Sequence, residues 1–283
     1  MDAAPLYSWF FQLLNGKVFP TSVMMITILL VELFLLYFYF TKNQFSENET
    51  LVSLIFYLLF LICGGFLNEI TPAFFTNLFI LLIINLNSNY LSETIKSRVF
   101  LSGVLTGIAS LIDPVSLVLL FFVIATLIVN RFNKSKEIVI AIIGLVILYL
   151  YFFSYYFFTD QLEIIKKLCT DFPYFIFLKS NIIPPVWQIV KTIIWLLVVL
   201  YALFTLKLQY DNKLIVMRKR LIAIHLLLIG IIVMMFLSSY QLPGMTLYLL
   251  IPTTLYFSIL LQMNQRVLVH DIVITAFTIV LCI

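Results

Sequence analysis

The chain alternates long apolar stretches with short polar connections, a pattern that predicts helices buried in a membrane. A helix of about 20 apolar residues crosses the hydrocarbon core of a bilayer. Ten apolar segments stand out, at residues 22–40, 51–66, 72–86, 99–112, 115–129, 138–158, 186–206, 221–238, 243–262 and 267–283. We therefore predict an all-α, polytopic transmembrane helix bundle of about ten helices with short outer hairpins.

The composition agrees with this pattern and excludes a soluble domain. Hydrophobic residues fill 63% of the 283 positions and charged residues 11%, whereas about a quarter of the residues of a soluble protein are charged. The longest stretch without an apolar segment, residues 159–185, is too short for an independent core. We predict a single transmembrane domain over residues 1–283, with membrane lipids as partners and no nucleic acid.

The basic residues predict an orientation. Twelve of the 17 Lys and Arg residues lie in the first, third, fifth, seventh and ninth connections, and connections rich in Lys and Arg stay in the cytoplasm. A proline precedes or opens each segment that enters from the other side, and a helix tolerates proline in its first turn. We expect a multi-pass protein of the bacterial inner membrane with both termini outside.

Segments 51–66 and 99–112 are short for membrane spans. At 1.5 Å per residue they cover about 24 and 21 Å, against a hydrocarbon core of about 30 Å. Either flanking polar residues extend these helices, or their outer turns stop below the membrane surface. In the second case Glu69 and Asp113, each followed by a helix-opening proline, would line a recess that opens outward.

Asp113, directly before Pro114, is the strongest candidate for chemistry. Its carboxylate suits two roles: a cap that accepts a backbone N–H of the next helix, or a recessed acid that binds a ligand or catalyses a reaction. The same two roles apply to Glu69, although Thr71 is also placed to cap the helix that starts at Pro72. Both alternatives stay open for both acids.

Several residues inside the apolar segments have predicted roles. Glu32 lies in the middle of the first segment, where an acid is costly and is either functional or paired, for example with His225. Gly103 and Gly107 form the small-x-x-x-small pattern through which helices pack closely. Pro252, inside the ninth segment, should kink its helix and free a backbone carbonyl.

Two polar stretches are predicted to lie on the outer face. Residues 1–21 form an interfacial segment, and residues 159–185 form an amphipathic loop. In that loop Lys166 and Lys167 either contact lipid headgroups or hold the phosphate of a lipid-linked substrate. The sequence contains no nucleotide-binding, dinucleotide-binding or metal-binding motif, so no metal is predicted and any cofactor stays unknown.

Short motifs carry a resemblance to a known family. They are GIASLIDP at residues 107–114, RFN at residues 131–133 and YYFFTDQL at residues 155–162, together with Glu137 and Gly144. Through them, residues 50–162 resemble an uncharacterised family of multi-pass inner-membrane proteins of Bacteroidota. The layout of that family is similar to that of polyprenyl-phosphate-sugar-dependent membrane glycosyltransferases, which place an acid where this chain has Asp2. The resemblance also implies a further membrane helix before Asp2.

Three functions stay open, and whether the protein is an enzyme is undecided. In the first, a glycosyltransferase-like protein handles a polyprenyl-phosphate carrier in the outward recess, with Asp113, Glu69 or Asp2 as base or substrate clamp. In the second, the protein is a non-catalytic subunit or scaffold that docks another envelope protein. In the third, it is a transporter that uses Glu32 and the kink at Pro252.

Overall fold

The fold is helical throughout the part of the chain that the structure describes. The computed structural model describes residues 21–43, 50–65, 71–88, 95–130, 135–161, 163, 186–208, 215–237 and 246–263. Within these ranges lie nine α-helices and no β-strand: α1 (Thr21–Asn43), α2 (Thr50–Cys63), α3 (Pro72–Asn87), α4 (Ile95–Ile112), α5 (Val118–Val129), α6 (Ser135–Phe158), α7 (Val186–Leu208), α8 (Ile215–Leu237) and α9 (Leu250–Met263). A 3₁₀ turn, Pro114–Leu117, joins α4 to α5. The all-α class is confirmed, whereas the tenth apolar segment, 267–283, lies outside the described residues.

Four of these helices are long and apolar enough to cross a membrane. They are α1 over Val23–Asn43, α4 over Ile95–Ile112, α6 over Ser135–Phe158 and α8 over Met217–Leu237. The other described apolar stretches are shorter. The four long helices are consistent with the predicted membrane protein.

Three helices begin at least three residues earlier than the apolar pattern predicts, among them α6, which starts at Ser135 instead of residue 138. Helix α4 starts at Ile95 instead of residue 99, because Lys96 and Arg98 are part of its first turn. Helix α8 starts at Ile215 instead of residue 221 and likewise includes basic residues. For segment 99–112, extension by polar residues is therefore the alternative that the structure adopts, whereas α2 remains at 14 residues.

The glycines of α4 lie against α6. A β-carbon on Gly103 would overlap with the carbonyl oxygen of Ala141, and one on Gly144 with the carbonyl oxygen of Phe100. A β-carbon on Gly107 would lie 2.8 Å from Cδ2 of Leu148. The absence of side chains at these positions lets the two backbones approach as closely as they do.

The buried interior is centred on α9. Residues 246–259 are buried without interruption, as expected for a helix that is apolar on all sides. Aromatic rings of α2 and α7 pack around it: Phe60 lies 5.6 Å from Phe257 and 6.5 Å from Trp195, measured between ring centroids. Helix α9 therefore connects the α1–α3 part of the bundle with α7 and α8.

The two ends of the bundle differ in charge. At one end, called the basic end below, Arg220 of α8 donates a hydrogen bond to the carbonyl of Asn43 at the end of α1. Ser102 of α4 donates to Oδ1 of Asn87, near the end of α3, at 3.1 Å. The helix ends that meet here carry Lys42, Lys96, Arg98, Lys136, Arg218, Lys219 and Arg220. Asp113 lies at the opposite end, called the Asp113 end.

Candidate functional site

Asp113 occupies the tip of the α4–α5 hairpin. Helix α4 ends at Ile112, and Asp113 is extended, with φ −141° and ψ 104°, because Pro114 opens the 3₁₀ turn and disfavours a helical residue before it. Oδ1 of Asp113 accepts a hydrogen bond from the backbone N–H of Val115 at 3.4 Å. The carboxylate therefore makes the capping contact that was one of its two predicted roles.

The other carboxylate oxygen of Asp113 binds Tyr248. The phenol of Tyr248 donates a hydrogen bond to Oδ2, so that the acid joins its hairpin to the chain that leads into α9. Asp113 and Tyr248 are both completely buried. A helix cap at a protein surface would have neither property, and Asp113 is thus an internal tie between distant segments as well as a cap.

Pro252 explains why Tyr248 reaches Asp113. A proline cannot bond the carbonyl four residues earlier, and its ring clashes with that carbonyl. Four residues before Pro252 lies Tyr248, and the chain forms a turn at Tyr248–Leu249 before α9 begins at Leu250. Pro252 is therefore in the first turn of α9. The predicted disturbance takes the form of a break ahead of the helix, and the break directs Tyr248 to the hairpin.

Helix α3 completes the surroundings of the acid. Asn77 donates to the carbonyl of Leu247 at 3.0 Å and holds the turn that carries Tyr248. The hydroxyl of Thr76 donates to the carbonyl of Pro72 at 3.1 Å. Within the described residues the carboxyl group is enclosed, with donors on both oxygens.

Helix α6 extends farther than α4 at the Asp113 end. Ser110 near the end of α4 shares a hydrogen bond of 2.8 Å with the hydroxyl of Tyr149 on α6. From that level α4 continues for only two residues, to Ile112, whereas α6 continues for nine, to Phe158. The difference of seven residues corresponds to about 10 Å of helix. At the Asp113 end, α6 therefore forms a wall that rises above the acid.

That wall is aromatic. Large exposed side chains on it are Tyr151, Tyr155, Phe157 and Phe158. The rings of Phe152 and Tyr156 pack edge to face with centroids 4.7 Å apart. A surface of this kind suits contact with an apolar chain or with a membrane interface, where aromatic residues are enriched.

Four predicted site residues, Asp2, Glu69, Lys166 and Lys167, lie outside the described residues. The neighbouring residue Thr71 is described, and it occupies the N-cap position of α3 without a side-chain hydrogen bond to the helix. Its hydroxyl is buried and has no partner among the described atoms. The prediction that Thr71 caps α3 through its side chain is therefore wrong.

Glu32 forms a second buried acid–tyrosine pair. The hydroxyl of Tyr57 on α2 donates to Oε2 of Glu32 at 2.7 Å, and both residues are completely buried. Oε1 of Glu32 has no partner among the described atoms. His225, the predicted partner, instead has its Nδ1 2.6 Å from the carbonyl of Leu221 and its ring against Tyr256. Glu32 is thus paired, but with a different residue.

The two tyrosines are the residues that sequence reasoning missed. Tyr57 lies in an apolar run in which nothing distinguishes it from the other aromatic residues. For Tyr248 one signal existed, because Pro252 lies four residues later and marks the carbonyl that the proline would free. Among the described residues, no group of three His, Cys, Asp or Glu side chains is arranged to hold a metal ion.

Comparison with known proteins gives a family but no activity. No curated protein and no solved structure matches the chain significantly. The profile of a family of unknown function, DUF6427, matches residues 6–283, which is nearly the whole sequence. The chain belongs to this family of unknown function, DUF6427.

Proposed function

We propose that this protein is a multi-pass inner-membrane protein of the bacterial envelope, of the Bacteroidota type, that handles a polyprenyl-phosphate-linked sugar in the manner of a glycosyltransferase. The observation that carries the proposal is the step of about 10 Å between the end of α4 and the end of α6. In the proposal, a substrate occupies a recess beside this step, above Asp113. The recess is at the end of the bundle that the basic residues predict to be outside.

The wall of this space suits the lipid part of such a substrate. A polyprenyl chain is apolar and branched, and it would lie against the exposed rings of Tyr155 and Phe158 on α6. Contact with aromatic rings supplies a large apolar area at a low cost in side-chain entropy. The pyrophosphate or phosphate of the carrier would then lie at the outer end of α6, close in the chain to Lys166 and Lys167.

Asp113 belongs to the floor of this space in the proposal. Its two carboxylate oxygens are engaged by Val115 and Tyr248, and a general base has to be within hydrogen-bond reach of the proton that it removes. The acids proposed to touch the substrate are therefore Glu69, in the connection between α2 and α3, and Asp2. Asp113 would hold the hairpin at the depth that keeps the recess open.

One observation favours a second function, that of a non-catalytic subunit of an envelope complex. Two of the three buried acids among the described residues, Asp113 and Glu32, are bonded to tyrosines, and the third is Glu137 in the first turn of α6. A protein whose acids serve only to join helices would look the same. In that case the exposed aromatic end of α6 would contact a partner protein and not a lipid-linked sugar.

Native mass spectrometry of the protein, extracted gently from its own membrane, tests the proposal. We expect an adduct with the mass of a polyprenyl-phosphate sugar on the wild type and its loss when Lys166 and Lys167 are both replaced by Gln. The matched control is Lys136→Gln, which removes an exposed cation at the opposite end and should leave the adduct unchanged. A stoichiometric protein companion without such an adduct would overturn the proposal in favour of the subunit.

A further inference from the structure

A small pocket with a cavity volume of about 20 Å³ opens at the basic end of the bundle, opposite the Asp113 end. Its polar lining comes from the last residues of α3 and α5 and from the first turns of α8, and it includes Asn87, Ser88, Asn130, Lys219 and Arg220. No acidic side chain is among the lining residues that the structure describes. The pocket thus combines two cations with neutral polar groups.

The helix ends around the pocket explain only one of the two cations, since Arg220 donates to the carbonyl of Asn43 at the end of α1. The C-terminal ends of helices carry partial negative charge and unpaired carbonyls, and they attract Lys and Arg. Here each of the three ends has a polar side chain of its own that serves a carbonyl. Asn43 donates to Tyr39 at 2.7 Å, Ser88 to Asn85 at 3.1 Å, and Asn130 to Thr126 at 2.8 Å. Lys219 is therefore not needed to bind a carbonyl at the end of a helix.

Arg220 is only partly engaged. One terminal nitrogen donates to the carbonyl of Asn43, but Nε is buried and has no partner among the described atoms. A buried guanidinium nitrogen without an acceptor is costly, and phosphate oxygens are among the acceptors that match the geometry of arginine. An anion in the pocket would supply the missing acceptor and balance the charge of Lys219.

The inner wall of the pocket is apolar. Phe122 of α5, Ile84 of α3, and Ile224 and Leu227 of α8 line it below the charged residues. A ligand with a phosphate at the charged mouth of this small pocket and hydrocarbon along the neighbouring apolar surface matches this division. Basic pockets between membrane helices on the cytoplasmic side are known to bind the headgroups of anionic lipids.

We propose that this pocket binds a phosphate group through Lys219 and Arg220, and that the phosphate is the headgroup of an anionic phospholipid. The site is at the opposite end from the proposed sugar-lipid recess and shares no residue with it. An experiment that finds no phosphate binding in this pocket therefore leaves the proposed function untouched, and the reverse also holds.

The test uses the full chain, delipidated in a neutral detergent. Native mass spectrometry follows the binding of dioleoylphosphatidylglycerol, with dioleoylphosphatidylcholine as the zwitterionic comparison. We expect Lys219→Gln to weaken binding of the anionic lipid about fivefold, the effect of one basic residue at a membrane surface. Lys136→Gln, an exposed cation at the same end that does not line the pocket, should change it less than twofold.

A second measurement identifies the source of the phosphate. If inorganic phosphate, compared with chloride at equal ionic strength, raises the melting temperature of the wild type but not of Lys219→Gln, and no lipid adduct forms, the site takes soluble phosphate. Arg220→Lys keeps the charge and should retain part of the binding even if Arg220→Gln does not fold. Equal losses in Lys219→Gln and Lys136→Gln, or no binding of either probe, would overturn the proposal.

Discussion

The hydroxyl of Tyr248 donates a hydrogen bond to the carboxylate of Asp113 across a separation of 135 residues. This contact joins the α4–α5 hairpin to the chain that enters α9, the most deeply buried helix of the described bundle. The capping bond from Val115 orients the carboxylate from the other side. Asp113 therefore connects local turn geometry to the packing of the whole bundle.

The tie between Tyr248 and Asp113 should be measurable as a coupling energy. We expect Tyr248→Phe to lower the free energy of unfolding by about 1–3 kcal/mol, because one oxygen of a buried carboxyl group loses its donor. In a double-mutant cycle with Asp113→Asn, the interaction energy should be about 0.5–3 kcal/mol. Reversible unfolding in mixed detergent micelles measures both quantities.

Tyr256→Phe is the matched control for this experiment. The hydroxyl of Tyr256 is also buried, but it has no partner among the described atoms. Removing it should be neutral or slightly stabilising. If Tyr256→Phe destabilised the protein as much as Tyr248→Phe does, the loss would reflect a general effect of the substitution and not the bond to Asp113.

Substitutions of Glu32 and Tyr57 can show whether Glu32 stabilises the fold or takes part in transport. Tyr57→Phe leaves a buried carboxyl group without its donor and should lower the free energy of unfolding by about 1–3 kcal/mol. The double substitution Glu32→Leu with Tyr57→Phe removes both partners and should recover most of that loss. Unfolding experiments on the two variants check this. A transporter that depends on Glu32 would instead lose activity in Glu32→Gln without losing stability.

The contact between α4 and α6 depends on glycine. Gly103→Ala should destabilise the protein by about 1–3 kcal/mol or more, because the new methyl group meets the backbone of Ala141 and neither helix can yield without separating. Gly230→Ala is the control, since no described atom outside its own stretch of helix backbone lies within 4 Å of the position of its β-carbon. Alanine is the better helix former by up to about 1 kcal/mol, so the control should be neutral or stabilising.

The orientation of the bundle can be tested by cysteine labelling. In a background in which Cys63, Cys169 and Cys282 are replaced by Ser, Gln161→Cys marks the Asp113 end and Lys136→Cys the basic end, both at exposed positions. A membrane-impermeant maleimide should label the first in intact cells and the second only after lysis. The reverse result would place the basic end outside and the proposed sugar-lipid recess in the cytoplasm.

The positions of most helices could be predicted because each reflects a local property. A run of apolar residues forms a helix in a membrane whatever surrounds it, since every backbone group must find its partner within the segment. Most errors occur where polar residues join a helix, whereas α9 begins at Leu250 and not at residue 243, after the turn at Tyr248–Leu249. Lys96 and Arg98 extend α4, and Arg218 to Arg220 lie within α8, because long basic side chains keep their charge at the surface while their backbone remains helical.

The sequence by itself determined the all-helical class, the prolines that open or break helices, and the acids worth testing. The tertiary structure alone decided the partners of those residues: Tyr248 for Asp113, Tyr57 for Glu32, and the backbone of α6 for Gly103. The physical reason is the range of the interactions. Periodicity, capping and proline geometry act within a few residues, whereas a buried carboxyl group takes whichever donor the folded chain brings to it, and that choice depends on the packing of all the helices together.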